Sequence, residues 1–342
     1  MLQLEKTINE LVANGTISNI AVRVGVGERV LYDTFRGGVG EHTLFDMASV
    51  TKIISTTSLA LIALDKGLIN LDDEVSKFFK TDKPLTIKNL LTHTIGIGYK
   101  LLQSYTNSPE NIAEKILEIH SDIPIGSDVR YSCPGFILLG KILEKVFQEP
   151  LDKCFETLVA KPLNMCETSY LPNNKEHAVN ANMTEDMRGV VNDYNCQFLG
   201  KVAGNAGVFS NLSDVTKYVK FLLNKGYPLI SRKTFEIAVK NHTPNMSESR
   251  GLGFLYVDER YSQTGGLFDD GAIGHCGHTG QSVFADYRNG LYVIVLSDAT
   301  VSTEKKYGRE NYQEVMDMRA RLHSAIKQDL ITEKLVDFAY VL

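Results

Sequence analysis

Tryptophan is absent from this 342-residue chain, proline is sparse at 9 residues, and the 5 cysteines, Cys133, Cys154, Cys166, Cys196 and Cys276, are odd in number and scattered. That spacing offers neither a disulfide framework nor a paired Cys-x-x-Cys metal knuckle, and it suits a reducing compartment. Positive charge is not in excess. The formal net charge of -5 argues against a nucleic-acid partner and gives an anionic membrane nothing to hold. No apolar run approaches the length that crosses a bilayer, so no membrane span is expected. The N-terminal stretch 2–12 reads as an amphipathic helix too charged for the core of a secretion signal, which makes the chain as given look cytoplasmic, with an extracytoplasmic location the alternative if a signal has been removed. Low-complexity tracts and linker-like stretches are missing, and 43% apolar with 23% charged residues describes one large unit with a sizeable core. No Gly-x-Ser-x-Gly elbow occurs, so an α/β-hydrolase nucleophile is excluded.

What is present is Ser49-Val50-Thr51-Lys52 at the head of an apolar segment, 53–64, that reads as a buried helix. Residues three apart on a helix are neighbours, so Lys52 can take the proton of the Ser49 hydroxyl, a weak nucleophile without a base in reach. A helix start also supplies free N–H groups and a positive dipole end, which stabilise developing negative charge and favour a neutral lysine. The same spacing recurs at Ser302 to Lys305 and Ser324 to Lys327, in a polar region of loop and amphipathic helix where it is ordinary surface. A hairpin precedes the first copy: 20–26 alternates like a strand, and 30–32 resumes after the Gly27-Glu28 turn.

Two further groups follow in order. Tyr131-Ser132-Cys133 opens an apolar helix over 136–147. His278-Thr279-Gly280 opens a strand, 282–287, which turns through Asn289-Gly290 into a second strand, 291–296. With these residues the chain resembles the serine β-lactamase and penicillin-binding protein superfamily, in the branch of class C β-lactamases, D-alanyl-D-alanine peptidases and related esterases. The stretches Phe45-Asp46-Met47-Ala48, Leu90-Leu91-Thr92-His93-Thr94 and Ala203-Gly204-Asn205-Ala206-Gly207 resemble it too.

The resemblance implies that Ser49 is acylated, that Lys52 is its base, and that Tyr131 protonates the leaving group. The oxyanion hole would be the N–H groups of Ser49 and Gln281, with His278, Thr279 and Gly280 beside the substrate. Cys133 stands where relatives carry asparagine; a thiol is a weak donor and acceptor, so weak activity on penicillins is expected. A cationic Lys52 beside it would favour the thiolate, so alkylation should inactivate the protein. His278 replaces a lysine that pairs with substrate carboxylates, which implies weak carboxylate anchoring that strengthens as pH falls. His275-Cys276-Gly277-His278 lacks the companions of a metal site, so neither metal nor cofactor is expected. Asp46 reads as a cap for the Ser49 helix and His93 as a structural hydrogen-bonder at a helix end.

Short helices are expected over 85–91, 111–119 and 152–158, a strand near 251–256, and a closing helix over 312–327. The implied fold class is α+β: an antiparallel sheet from 1–66 and 200–342 flanked by terminal helices, an inserted mostly helical lobe over 67–199, and the cleft between them. The expected function is a serine hydrolase working through an acyl-enzyme, a D-amino-acid peptidase or an esterase on a small-molecule or peptide acyl substrate. β-Lactamase activity, or a non-catalytic penicillin- or peptide-binding sensor, are the alternatives. The oligomeric state is left open, and the apolar tail over 335–342 has no role beyond docking on the body or a partner.

Overall fold

The computed structural model describes residues 1–181 and 187–334, so the apolar tail lies outside the described residues. Among the described residues eight strands form: β1 (Ile20–Val26), β2 (Arg29–Arg36), β3 (Phe45–Asp46), β4 (Phe209–Ser210), β5 (Leu255–Tyr256), β6 (Ile273–Cys276), β7 (Ser282–Ala285) and β8 (Leu291–Ser297). Six of them make one antiparallel sheet in the order β2-β1-β8-β7-β6-β5, and β3 pairs with β4. The α-helices are α1 (Leu2–Ala13), α2 (Ser58–Asp65), α3 (Ile87–Leu91), α4 (Ile112–Glu118), α5 (Cys133–Phe147), α6 (Leu151–Phe155), α7 (Tyr194–Phe198), α8 (Leu212–Leu223), α9 (Arg232–Ala238), α10 (Ala299–Tyr307) and α11 (Tyr312–Thr332).

Alternation along the strands divides the core in two. On β8, Tyr292, Ile294 and Leu296 join a large cluster with α2, α5 and α8, while Val293 and Val295 pack with Leu4, Ile8, Met318 and Leu322 of α1 and α11. Both faces of the sheet are therefore covered, and β8 is buried throughout. Each fully buried aliphatic or aromatic side chain contributes roughly 1.5–3 kcal/mol.

The expected elements appear with shifted ends, each for a local reason. α5 starts three residues early because Ser132 Oγ accepts from Gly135 N at 3.1 Å, capping the helix ahead of its apolar run. The strand expected over 251–256 shrinks to two residues. Gly253 takes φ +79°, and a Cβ there would sit 1.9 Å from Thr57 Oγ1, so the backbone is pressed against the helical segment that follows Ser49 instead of continuing the sheet. His278, Thr279 and Gly280 do not begin a strand. They form the turn between β6 and β7, where Gly277 N donates to Gln281 O at 2.9 Å and Gly280 N to Gly277 O at 3.0 Å.

One stretch, Ala48–Asp65, is long and apolar enough to cross a membrane by length and composition, contrary to the reading of the sequence. It is 83% buried within the protein, the core helix around which the rest packs.

Candidate active site

Ser49 lies in a tight turn, Ala48–Val50, directly after β3. Ala48 adopts φ +45°, a left-handed conformation that costs a non-glycine residue roughly 1–3 kcal/mol. Asp46 pins the turn: Oδ1 accepts from Ala48 N at 2.8 Å and Oδ2 from Asn192 N at 2.7 Å. Burial pushes the Asp46 carboxyl up to about 6 in spite of those bonds. The helix then opens with a wide turn of i→i+5 type over Lys52–Thr57 before tightening into α2. Such wide turns recur at functional sites.

Lys52 Nζ lies 2.9 Å from Ser49 Oγ, 2.9 Å from Asn205 O and 3.6 Å from Cys133 Sγ, so the three N–H bonds of an ammonium have three acceptors. From the other side, Tyr131 O–H donates to Ser49 Oγ at 2.7 Å. His93 orients this phenol. Its Nδ1 accepts from Ser132 N at 2.9 Å, and its ring packs 4.7 Å from Tyr131 and 4.8 Å from Phe136. Burial, and next the Arg250 charge, hold His93 well below the ordinary histidine value, so it is a neutral spacer.

Burial raises Tyr131 to about 12 against the pull of Lys52. Burial likewise raises the Cys133 thiol, and the nearby Lys52 does not overcome it. The thiolate expected from the sequence is thus disfavoured, because desolvation outweighs one cation. Lys52 is subject to opposed effects: burial lowers it, and the ionised forms of Cys133 and Tyr131 carry it above the ordinary lysine value. Those ionised forms are scarce near neutrality, and burial is then opposed by the Asp193 charge.

The third motif abuts the first. Thr279 Oγ1 donates to Asp46 O at 3.0 Å, and a Cβ on Gly277 would sit 2.8 Å from Met47 O. The Thr279 and Gln281 side chains are buried and committed to the body, Gln281 Nε2 donating to Ser297 O at 3.1 Å. Gly280, at φ +123°, leaves room for Ser297 Oγ, which a Cβ would meet at 2.2 Å. Only His278 of this motif lines the cleft with its side chain, and it is already paired: Nε2 lies 3.1 Å from Glu310 Oε2, and the ring stacks 5.3 Å from Tyr312. His278, expected to anchor a substrate carboxylate only weakly, thus faces a carboxylate of the protein itself.

Ser49, Tyr131, Cys133 and His278 border one cleft of about 560 Å³, with Lys52 buried behind Ser49. Several wall residues belong to no motif: Arg250 ahead of β5, His275 on β6, and Glu310 and Tyr312 at the start of α11. His275 Nδ1 meets Cys276 O at 2.7 Å, so this nitrogen carries the proton and Nε2 is an acceptor. Sequence spacing carries no signal for these residues, because tertiary contacts alone bring them to the cleft. The five cysteines are unpaired with one another.

A family model described as Beta-lactamase matches residues 4–316. A protein of Escherichia coli (strain K12) named "Putative D-alanyl-D-alanine carboxypeptidase" is 27% identical over 304 residues, covering 75% of this chain and 69% of that protein. An N-acetylmuramyl-L-alanine amidase of Bacillus subtilis (strain 168) is 25% identical over 301 residues, covering 75% and 68%. Among solved structures, simvastatin synthase from Aspergillus terreus superposes with a TM-score of 0.75 at 16% identity, covering 96% of this chain and 98% of that one. The fold is β-lactamase/transpeptidase-like.

Proposed function

The chain belongs to the β-lactamase family and is a serine hydrolase, and we propose that it works through an acyl-enzyme on Ser49, as a D-amino-acid peptidase or carboxypeptidase or as an esterase. The observation that carries this reading is the position of Ser49 Oγ between Lys52 Nζ at 2.9 Å and Tyr131 O–H at 2.7 Å. As the amine, Lys52 takes the Ser49 proton while Oγ bonds to the acyl carbon. Asn205 O and Cys133 Sγ are in place to receive the resulting ammonium. Tyr131 gives its proton to the departing group as the scissile bond breaks, and Lys52 restores it. Water then attacks the acyl carbon, losing its proton to the same pair, and Ser49 is regenerated.

The oxyanion in both steps would be held by the N–H groups of Ser49 and Gln281. The contact of Thr279 with the strand leading into Ser49 supports this reading. Loss of one such donor typically costs about a hundredfold to a thousandfold in turnover. The names of the carboxypeptidase and amidase relatives favour an amide-type acyl donor. The lobes 1–66 with 200–342, and 67–199, are read as the two walls of the cleft.

Time-resolved intact mass in the presence of a penicillin, with Ser49→Ala as control, tests the reading. A persistent Ser49-dependent adduct is expected of a penicillin-binding peptidase, and hydrolysed drug without an adduct would make the protein a β-lactamase. Failure of Ser49 to label with a fluorophosphonate would sink the acyl-enzyme and leave a non-catalytic binder.

A further inference from the structure

Charge along the cleft is not balanced within the protein. The basic side chains Arg250 and His278 that border it each face a carboxylate, Glu248 Oε2 at 2.6 Å and Glu310 Oε2 at 3.1 Å, and burial holds His275 neutral. Asp193 borders the same cleft as Ser49 and has no basic counterpart among the described residues. Residues 182–186 and 335–342 supply none either, since they include no lysine, arginine or histidine.

The Asp193 carboxylate is held in place. Oδ1 accepts from Cys196 N at 2.8 Å, capping α7, and Oδ2 is left without a donor among the described residues. Just before it, Asn192 N donates to Asp46 Oδ2 at 2.7 Å, which fixes this stretch against the strand leading into Ser49. Two tyrosines flank the carboxylate. Tyr99 and Tyr194 border the cleft with 54% and 63% of their surfaces exposed, so neither ring is spent on the core. Buried Asn195 ties their segments together: Oδ1 accepts from Leu102 N at 2.8 Å, and Nδ2 donates to Lys100 O at 2.9 Å. Burial, and next the Asp193 charge, push the Tyr99 phenol up to about 12, so the ring stays neutral.

A carboxylate set among exposed tyrosine rings suits an ammonium group, through ion pairing and cation–π attraction together. An anionic group would be repelled by Asp193, and an apolar one would leave it unpaired. Tyr131, the donor to the leaving group, lies toward Arg250, whose guanidinium carbon is 5.7 Å from its ring. The Asp193 charge bears instead on Cys133 and Tyr99, which leaves the acyl part of the substrate within its reach.

Resting on the acyl-enzyme reading, we propose that Asp193 is a specificity-determining residue for the acyl part of the substrate, pairing with an ammonium group that Tyr99 and Tyr194 enclose. The preferred acyl donors are then amino acids or short peptides with an unblocked amine, at the α-carbon or on a side chain, joined to the leaving group as an amide or an ester.

The test uses two substrate pairs whose members differ in one positive charge: D-alanyl against 2-methylpropanoyl, and Nα-acetyl-D-lysyl against Nα-acetyl-D-norleucyl, each as the p-nitroanilide and the p-nitrophenyl ester. Chromophore release gives kcat/KM, and the readout is the cationic-to-neutral ratio within a pair. The wild type should favour the cationic member of at least one pair. Asp193→Asn, which keeps a good cap for α7, should lower that ratio by roughly tenfold to a hundredfold, the range of a charge-assisted hydrogen bond. Tyr99→Leu should lower it by roughly twofold to fivefold. Asp193 also bears on Lys52, so absolute rates shift in Asp193→Asn, and taking the ratio removes that effect. A wild type without cationic preference in either pair, or a ratio that either variant leaves unchanged, overturns the proposal while leaving the acyl-enzyme intact. If no compound is turned over in a Ser49-dependent way, the acyl-enzyme reading fails instead. Calorimetric binding of the anilides to Ser49→Ala, with and without Asp193→Asn, then gives the ratio without chemistry, and equal ratios or no binding overturn the proposal there too.

Discussion

Cys133 shows how one substitution changes meaning once its surroundings are known. Beside a lysine, a thiol is expected to ionise, but this one is 4% exposed and burial raises its pKa above the ordinary value. The linkage is direct: a raised thiol pKa means less thiolate at pH 7 than in a free cysteine, and more only as the solution becomes alkaline. Iodoacetamide at pH 7 should therefore modify exposed Cys166 well before Cys133, and activity should survive that first modification. Peptide mapping of the alkylated protein, sampled over time at pH 7 and pH 9, reads both sites. Preferential labelling of Cys133 at pH 7 would show that Lys52 outweighs desolvation. The same residue scale is where the sequence is most legible. Ser49 and Lys52 are tied by local spacing, and Tyr131 and His278 each open a recognisable segment. Arg250 and Glu310 leave no such trace, since each reaches the site from a distant part of the chain.

At the scale of elements, the site depends on how closely α5 approaches the segment carrying Asn205. Gly140 of α5 and Gly204 face one another: a Cβ on Gly204 would sit 2.1 Å from Phe136 O, and one on Gly140 would lie 3.2 Å from Gly204 Cα. Thr56 Oγ1 donates to Gly204 O at 2.7 Å, and the next residue supplies the carbonyl on Lys52. Gly204→Ala should therefore cost roughly 1–3 kcal/mol by overpacking, and it should displace Asn205 O from the lysine. Urea unfolding reads the first effect, and turnover in the folded variant reads the second. A stable Gly204→Ala protein with wild-type turnover would show that the close approach is incidental. The element boundaries carry a parallel lesson. The hairpin β7–β8 was legible from Asn289-Gly290, but β6 was not, because its four residues form a strand only by pairing with β7 and β5. The turn between β6 and β7 likewise looks like a strand start in sequence, and it is bent by the contacts of Gly277 and Thr279 with the chain around Ser49.

Across the whole molecule, pH dependence of stability follows from where the fold buries titratable groups. His93, His275 and His323 are essentially inaccessible, and burial, the leading cause in each, holds them below the ordinary value of 6.5, His323 at about 3. Their folded pKa values lie below the unfolded one, so as pH falls through 6.5 the unfolded chain takes up protons that the folded chain refuses, and stability drains away. Asp46 acts in the opposite sense. Its folded value of about 6 exceeds the unfolded 3.8, so between those limits the folded chain binds the proton first and gains stability as pH falls. The buried histidines outnumber Asp46, and His242, also lowered chiefly by burial, adds to them, so the net effect is a loss of stability as pH falls from 6 toward 4. His323 is the cleanest place to check this, because it sits on α11 away from the cleft, with Nε2 3.0 Å from Ser282 Oγ and Nδ1 unpartnered among the described residues. In His323→Gln, urea unfolding at pH 6, 5 and 4 should show a slope of stability against pH shallower by about 1.4 kcal/mol per unit. An unchanged slope would mean that the fold admits the imidazolium at no cost, and burial would not then be what makes the protein acid-labile.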